Sequence, residues 1–370
     1  MMHQAPKMDL RDEGDFWVSP SLMPAGAVIR ATVVIPAFGA AATLQRAVQS
    51  ALNQTLREIE VIVVDDASTD HTWRQVVEML PTESRLRAIR HKANSGKSIA
   101  MNRALALAKG HWLAVLDADD WYHTERLARL IAVAERWQAD LVADNQYFFD
   151  ATANRVVDTA WPSRPSDWEL TFDDYLVGAD AYATFNLGML KPVLRADFMR
   201  RSGLAYEVAA RHGQDFLYLL EFFLLGGRAV VSDRPSYYYT QPFGMISHRW
   251  SHPARKRYDF QTAYELNQRY LMAAFPLLSA DRLARLEDRN RRLKVLESYY
   301  SARELLAQRD WRGALVRFAS QPDAALYFLR RLLARLFGYG SYRTIRRIAA
   351  RSRRRAGLLT GTNPGITDVG

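Results

Sequence analysis

Four short apolar runs recur at nearly constant spacing in the first third of the chain: Thr32-Val-Val-Ile-Pro36, Ile59-Glu-Val-Ile-Val-Val64, Leu86-Arg-Ala-Ile89 and Trp112-Leu-Ala-Val-Leu116. They start at 32, 59, 86 and 112, leaving room for one helix between each run and the next. A strand that returns parallel to its predecessor needs such a crossover, so the cadence points to β-α units. The intervening segments carry the matching period. Leu44, Ala47, Val48, Ala51 and Leu52 fall at i, i+3, i+4, i+7 and i+8, and Trp73, Val76, Val77 and Leu80 repeat the pattern behind Asp70, which is placed to cap the helix. Ala100, Ala104, Leu107 and Ala108 make a third stripe, ended by Lys109-Gly110, and Leu127, Leu130, Ile131 and Ala134 make a fourth. The expected fold class for residues 30 to about 150 is α/β, a mostly parallel central sheet flanked by helices.

Ligands of such sheets sit beyond the carboxyl ends of the strands. Three of those ends carry distinctive residues: Pro36-Ala-Phe38, Asp65-Asp66-Ala-Ser-Thr-Asp70 and Asp117-Ala-Asp119-Asp120. A dinucleotide would call for glycines there and a P-loop for a Gly-Lys-Ser/Thr turn; neither pattern follows any of these strands. Clustered carboxylates instead need a cation, for which a metal, an arginine or solvent are the candidates. Mg²⁺ or Mn²⁺ takes carboxylate and phosphate oxygens together, so Asp119 is suited to anchor an ion whose shell a diphosphate completes. Asp66 is suited to accept a hydrogen bond from the imide N–H of a uracil ring. The plainer alternative, that strand-end aspartates cap helices or solvate turns, suits Asp70 and Asp120 better than Asp66 and Asp119.

Ile35-Pro-Ala-Phe38, Ser50-Ala-Leu-Asn-Gln-Thr55, Val64-Asp-Asp-Ala-Ser-Thr-Asp70, Asn94-Ser-Gly96, Ala100-Met-Asn-Arg103 and Leu116-Asp-Ala-Asp-Asp120 come in the order and spacing of family 2 glycosyltransferases. The chain resembles this family over roughly residues 30 to 250, and in particular its bacterial exopolysaccharide members. The resemblance implies a GT-A fold and inverting transfer from a nucleotide sugar. It further implies that Pro36, Ala37 and Phe38 border the nucleobase and that Asp66 reads it. Gly96 and Lys97 would lie near the base or phosphates, Asp117 near the ribose, and Asp119 on the metal. Asn102 is similar to the asparagine of the family's Ala-Arg-Asn stretch, although the order here is Met-Asn-Arg; binding and packing roles are both open to it.

Inversion at an anomeric carbon is one in-line displacement in which a carboxylate takes the proton of the acceptor hydroxyl. In the family that base opens a helix about a hundred residues after the D-x-D, and here Gly213-Gln-Asp215-Phe-Leu-Tyr-Leu-Leu-Glu221 fits, with Asp215 as the base. The family's preceding glutamate is replaced by Gln214, which removes a charge that would raise an aspartate's pKa. Asp215 is also placed to cap the helix that follows, and the two roles are compatible. Arg228-Ala-Val-Val-Ser-Asp233 and Tyr237-Tyr-Tyr-Thr240 read as two strands. Gly244-Met-Ile-Ser-His-Arg-Trp250 resembles the family's mobile segment over the diphosphate, with His248 as a third metal ligand and Arg249 against the leaving phosphate. The Gln-x-x-Arg-Trp motif of processive synthases is incomplete, because position 246 is isoleucine, and no run approaches the ~20 apolar residues of a spanning helix. Addition of a single sugar is the expectation.

The chain has no cysteine, which excludes disulfides and thiolate metal sites. Residues 1–29 contain Asp9, Asp12, Glu13 and Asp15 without the apolar core of a signal peptide, and are expected to form a loosely attached N-terminal arm. Residues 30–250 form the expected catalytic domain, with 30–120 as its nucleotide half and 121–250 as its acceptor half. Residues 251–370 form a helical extension. Charge is concentrated there: residues 311–370 hold twelve arginines, no lysine and two acids, which equals the net charge of +10 of the whole chain. Leu329, Leu332, Leu333, Leu336 and Phe337 make one helical stripe with Arg330, Arg331 and Arg335 off it. Such a basic amphipathic helix suits an anionic membrane surface, with packing on the protein itself as the alternative; aromatics are not interleaved as nucleic-acid binding would require.

These features lead to the expectation of a metal-dependent hexosyltransferase acting on a UDP-sugar donor and a glycan or lipid-linked acceptor in surface polysaccharide synthesis. It would work in the cytoplasm at the inner face of the membrane. A catalytically silent nucleotide-sugar-binding scaffold and a sugar nucleotidyltransferase are the alternatives. The first has no use for Asp215, and the second calls for a glycine-rich basic loop where Pro36-Ala-Phe-Gly-Ala-Ala-Ala42 stands. Trp161, Trp168 and Tyr182 are candidates for stacking on sugar rings or for the core.

Overall fold

The four apolar runs fold as the cadence requires. In the computed structural model the described residues are 11–24, 26–162, 166–179, 181, 186–241, 260–274 and 278–336. Strands β3 (Ala31–Ala37), β4 (Ile59–Asp65), β5 (Leu86–His91) and β6 (Trp112–Val115) lie in the order β5-β4-β3-β6, all parallel. Helices α1 (Leu44–Leu52), α2 (Thr72–Met79) and α3 (Lys97–Leu107) make the crossovers. Every residue of β4 is buried, as expected for a strand covered on both faces, and each fully buried Val or Ile there contributes about 1.5–3 kcal/mol. The five apolar positions picked from the periodicity of α1 are its five buried residues.

Beyond β6 the sheet becomes mixed. Strand β7 (Trp121–Tyr122) and helix α4 (Arg126–Trp137) lead to β8 (Leu141–Asp150), and the hairpin strand β9 (Arg155–Thr159) pairs with β8. After β10 (Trp168–Leu170) and α5 (Phe172–Gly178), strand β11 (Val193–Arg195) inserts antiparallel between β6 and β8. Helices α6 (Ala196–Ser202) and α7 (Gln214–Leu224) precede β12 (Ala229–Gln241), which runs parallel to β8. The two strands expected at 228–233 and 237–240 are thus one, interrupted by a register shift between Ser232 and Tyr237; Pro235, which cannot donate to a ladder, lies at the break.

The N-terminal arm is not loosely attached where it is described. Strands β1 (Arg11–Asp12) and β2 (Phe16–Val18) extend the sheet edge, with β2 antiparallel to β5. Arg103 holds this edge, pairing with Asp15 at 2.7 Å and lying 3.9 Å over the Phe16 ring. Trp161 and Trp168 pack edge to face on each other, 5.8 Å apart, and both adjoin the core. Tyr182 lies outside the described residues.

The chain divides into compact units at 1–292 and 293–370. The boundary expected near 250 falls among residues that are not described, and Leu266, Leu271 and Leu286 beyond it belong to the core of the first unit. They lie on helices α8 (Phe260–Ala274) and α9 (Ala280–Ala307). In the second unit, α10 (Trp311–Ser320) and α11 (Pro322–Leu336) pack through Phe318 and Phe328, with Ala314 and Ala324 buried. No described helix is long and apolar enough to cross a membrane.

Candidate active site

Two helices open onto the carboxyl ends of the strands in the same way. Gly96 caps α3 at φ 92° and Gly213 caps α7 at φ 72°, backbone conformations that favour glycine, and each turn delivers a charged side chain within the next two residues. At Gly96 a Cβ would also meet the Arg211 guanidinium at 2.3 Å. The side chains so delivered are Lys97 and Asp215. A carboxylate in the first turn of α7 is favoured by the partial positive charge of the helix N-terminus.

Lys97 and Asp215 meet Asp117 and Lys191 in a four-membered charge cluster. Lys97 Nζ lies 2.9 Å from Asp117 Oδ1 and 3.3 Å from Asp215 Oδ2. Lys191 Nζ lies 2.7 Å from Asp117 Oδ2 and 3.1 Å from Asp215 Oδ2. Burial alone would raise the pKa of Asp117, but the Lys191 and Lys97 charges outweigh it and hold the carboxyl well below its ordinary range. Burial likewise opposes the charge on Lys191, and Asp117 and Asp215 overcome that and push its pKa well up. The other oxygen of Asp215, Oδ1, is buried and accepts no hydrogen bond from a described residue.

Asp117, Asp119 and Asp120 present oxygens within 4.8 Å of one another, yet each has a different environment. Burial and the neighbouring Asp117 charge push Asp119 up to about 6, against the lowering effect of its own backbone N–H and of the Lys191 and Lys97 charges. A carboxylate that is costly to ionise and lies beside other carboxylates fits a divalent cation. Asp119 would be the principal ligand, with Asp117 beside it. Asp120 does not start a helix, contrary to expectation: it is 1% exposed, leads into β7, and accepts from the Tyr237 hydroxyl at 2.7 Å and the Thr240 N–H at 2.8 Å. Burial together with Asp119 and Asp117 raises its pKa well above normal, and its two hydrogen bonds tie β12 to the D-x-D turn. Arg46 and Thr240 donate to the Asp119 carbonyl at 3.0 and 2.6 Å, fixing the same turn.

Asp66 follows β4, two strands away from β6, with its carboxylate satisfied from within. Oδ1 meets His91 Nδ1 at 2.6 Å and the Ser95 N–H at 2.8 Å, and Oδ2 accepts from the Gly96 N–H at 2.8 Å. Burial raises its pKa, but these hydrogen bonds outweigh burial and leave it below the ordinary value. Asp66 therefore holds the 94–96 loop that starts α3. Pro36 and Ala37 end β3, next to β4, and Phe38 follows them. Asp70 accepts from the Thr72 N–H and hydroxyl and from the Ala41 N–H, as a turn residue one place before the α2 N-cap, His71. Asn102 clips the Tyr206 backbone with two 2.8 Å hydrogen bonds, a packing role. His248 and Arg249 lie outside the described residues.

Lys191 is the site residue that reading the sequence missed. A lysine interrupting the apolar Leu190-Lys-Pro-Val-Leu194 run was the available signal.

The Glycosyl transferase family 2 profile matches residues 32–193, which span the β-α units, the D-x-D turn and Lys191. Residues 32–193 are a family 2 glycosyltransferase domain. Among its relatives, succinoglycan biosynthesis protein ExoO of Rhizobium meliloti (strain 1021) is 33% identical over 58% of this chain and 62% of that protein. ExoU of the same organism is 33% identical over 52% of this chain and 57% of its own length. The chain thus spans about 60% of the length of these relatives. WfaP of Escherichia coli, a UDP-Glc:alpha-D-GlcNAc-diphosphoundecaprenol beta-1,3-glucosyltransferase, is 34% identical over 31% of this chain and 45% of that protein. Two solved structures share the GT-A fold of the family 2 domain. S. aureus TarS 1–349 is 20% identical, with a TM-score of 0.57 over 78% of this chain and 80% of that one. Mannosyltransferase PcManGT from Pyrobaculum calidifontis, in complex with GDP-Man and Mn²⁺, is 21% identical, with a TM-score of 0.52 over 86% and 83%.

Proposed function

We propose that the protein is an inverting, metal-dependent glycosyltransferase that moves one sugar from a nucleotide diphosphate, UDP by preference, to a glycan or lipid-linked acceptor in surface polysaccharide synthesis. The observation that carries this is the presence, at one end of the sheet, of an Asp119 that burial and Asp117 make costly to ionise and of an Asp215 whose buried Oδ1 accepts no hydrogen bond from a described residue. The names of the ExoO, ExoU and WfaP relatives support the pathway, and the WfaP name supports UDP and a diphospholipid acceptor.

Asp215 is the base. It is held by two ammonium groups through Oδ2, so Oδ1 is the oxygen able to take the acceptor proton. Asp66 orders the loop beside the nucleobase, Pro36, Ala37 and Phe38 border the base, and Asp117 and Lys97 lie toward ribose and phosphates. Mg²⁺ or Mn²⁺ bound at Asp119 would neutralise charge on the leaving diphosphate. His248 and Arg249 remain proposed partners of that end. A silent scaffold would have no need of a buried Asp215 oxygen left without a hydrogen bond, and the family match disfavours a nucleotidyltransferase.

The test is a panel of UDP-glucose, UDP-N-acetylglucosamine and GDP-mannose with MnCl₂, read by thermal shift and by nucleotide release to water. A stabilised protein that releases nucleotide is expected; failure to bind or hydrolyse any of the three, or any other UDP- or GDP-sugar, would sink the reading.

The second unit supports a peripheral membrane site. Trp311, Leu315 and Val316 on α10 and Leu326, Leu329 and Leu332 on α11 are exposed, with Arg312, Arg330 and Arg331 exposed on the same helices. An apolar face among arginines suits an anionic bilayer, each near-surface cation adding about 1 kcal/mol. Replacing Leu326, Leu329 and Leu332 by Gln should release the protein from phosphatidylglycerol vesicles; undiminished binding would refute this placement.

A further inference from the structure

Lys191 stands where the two halves of the site meet, and its surroundings fix it there. Its side chain is 5% exposed. The Lys191 carbonyl accepts from the Arg126 guanidinium at 2.6 Å, and Arg126 is itself fully buried and paired with Asp144 at 2.7 Å. On either side, Gln146 donates to the Met189 carbonyl at 3.2 Å and the Val115 N–H to the Pro192 carbonyl at 3.3 Å. The segment then continues into β11, hydrogen-bonded on both edges to β6 and β8. Burying an ammonium ion costs several kcal/mol, and an apolar side chain of similar size would fill the space without that cost. The charge is therefore explained by what it faces. It faces the nucleotide-end carboxylate of Asp117 and the base carboxylate of Asp215, both within 3.1 Å. Lys97 bridges the same two groups with a 16% exposed side chain from the first turn of α3, the less enclosed of the two cations.

We propose that Lys191 is a positioning residue for proton transfer: it holds Asp215 by Oδ2, so that Oδ1 is the atom that receives the acceptor's proton, and it locks that oxygen in register with the nucleotide end through Asp117. The inference rests on the reading of Asp215 as the base. In the step it serves, the acceptor oxygen bonds to the anomeric carbon as the bond from that carbon to the diphosphate oxygen breaks. The electron pair of the broken bond leaves with the nucleoside diphosphate, and the acceptor's proton passes to Asp215 Oδ1. Lys191 donates to Oδ2 throughout and exchanges no proton. Fixing the base relative to the donor matters because a misplacement of about 1 Å in such a geometry costs on the order of a hundredfold in rate.

The experiment compares wild type, Lys191→Met, Lys191→Arg and Asp215→Asn. Nucleotide release is measured with whichever of UDP-glucose, UDP-N-acetylglucosamine and GDP-mannose the wild type turns over, and affinity for the matching nucleoside diphosphate with Mn²⁺ is measured by calorimetry. Lys191→Met should slow release at least about tenfold while affinity changes less than about threefold, and Lys191→Arg, which keeps a cation, should recover part of the rate. A merely structural role predicts no such split and no such rescue. If Asp215→Asn turns over like wild type, the base reading itself fails. If Asp215→Asn is inactive but Lys191→Met keeps the wild-type rate, or loses affinity in step with rate, the assignment of Lys191 is overturned with the base reading intact. If neither Lys191 variant folds, the residue is a structural one and the proposal falls.

Discussion

Two strand ends, with β3 between them, carry aspartates of opposite character. At the end of β4, Asp66 is closed in, every carboxylate oxygen engaged by His91 or by the backbone N–H groups of Ser95 and Gly96. Beyond the end of β6, burial and the Asp117 charge push the pKa of Asp119 up to about 6, while Asp117 is shared between two lysines. The first arrangement stabilises the fold and the second strains it. Similar sequence patterns, Asp-Asp in one and Asp-x-Asp-Asp in the other, thus divide between architecture and chemistry, and the division is visible in which oxygens the protein leaves unsatisfied.

The largest effect should come from the open end. Asp119→Ala is expected to lower Mn²⁺-dependent nucleotide release by about three orders of magnitude with the fold intact, since it removes the group proposed to hold the ion; a loss below tenfold would move the metal elsewhere. At the closed end, Asp66→Ala should act first on stability. It strands His91 and two backbone donors, a cost of about 2–4 kcal/mol in urea unfolding, and an unchanged midpoint would show that the 94–96 loop is held by other contacts.

The pH dependence of the two ends should have opposite signs. Asp66 has a lowered pKa, so its stabilisation is present above the ordinary carboxylate value of 3.8 and is lost as pH falls through the lower folded value. Asp119 rises from 3.8 to about 6, so its ionisation costs stability increasingly as pH rises through that window. Metal-free Asp119→Asn should therefore be more stable than wild type at pH 7.5, by about 1–2 kcal/mol after allowance for its partial exposure, and no more stable at pH 4. A stability difference independent of pH would contradict the strained state of Asp119. The smallest effect is expected at Tyr237→Phe, which removes the hydroxyl that donates to Asp120 and accepts from the Asp117 N–H, and should cost about 1 kcal/mol in thermal unfolding.

What could be read from the sequence follows the range of the interactions involved. The β-α cadence and the buried face of α1 are local patterns, and they appear in the fold at the expected residues. The edge strands β1 and β2 escaped notice because they are two and three residues long and depend on β5 for pairing. Asp120 reads locally as a helix-capping or turn residue because its partners, Tyr237 and Thr240, lie about 120 residues further along the chain. The place of Lys191 in the site is not legible from its apolar neighbours alone, for a related reason. Its position depends on β11 entering antiparallel between β6 and β8, a crossover that no local period announces.

In the proposed reaction Asp215 takes the acceptor's proton through Oδ1, the oxygen that accepts no hydrogen bond from a described residue. Nucleotide release by Asp215→Asn, measured beside its affinity for the same nucleoside diphosphate and Mn²⁺, tests it most directly. A loss of about a hundredfold or more in rate is expected with affinity essentially unchanged; turnover at the wild-type rate would contradict the role of Asp215 as the base.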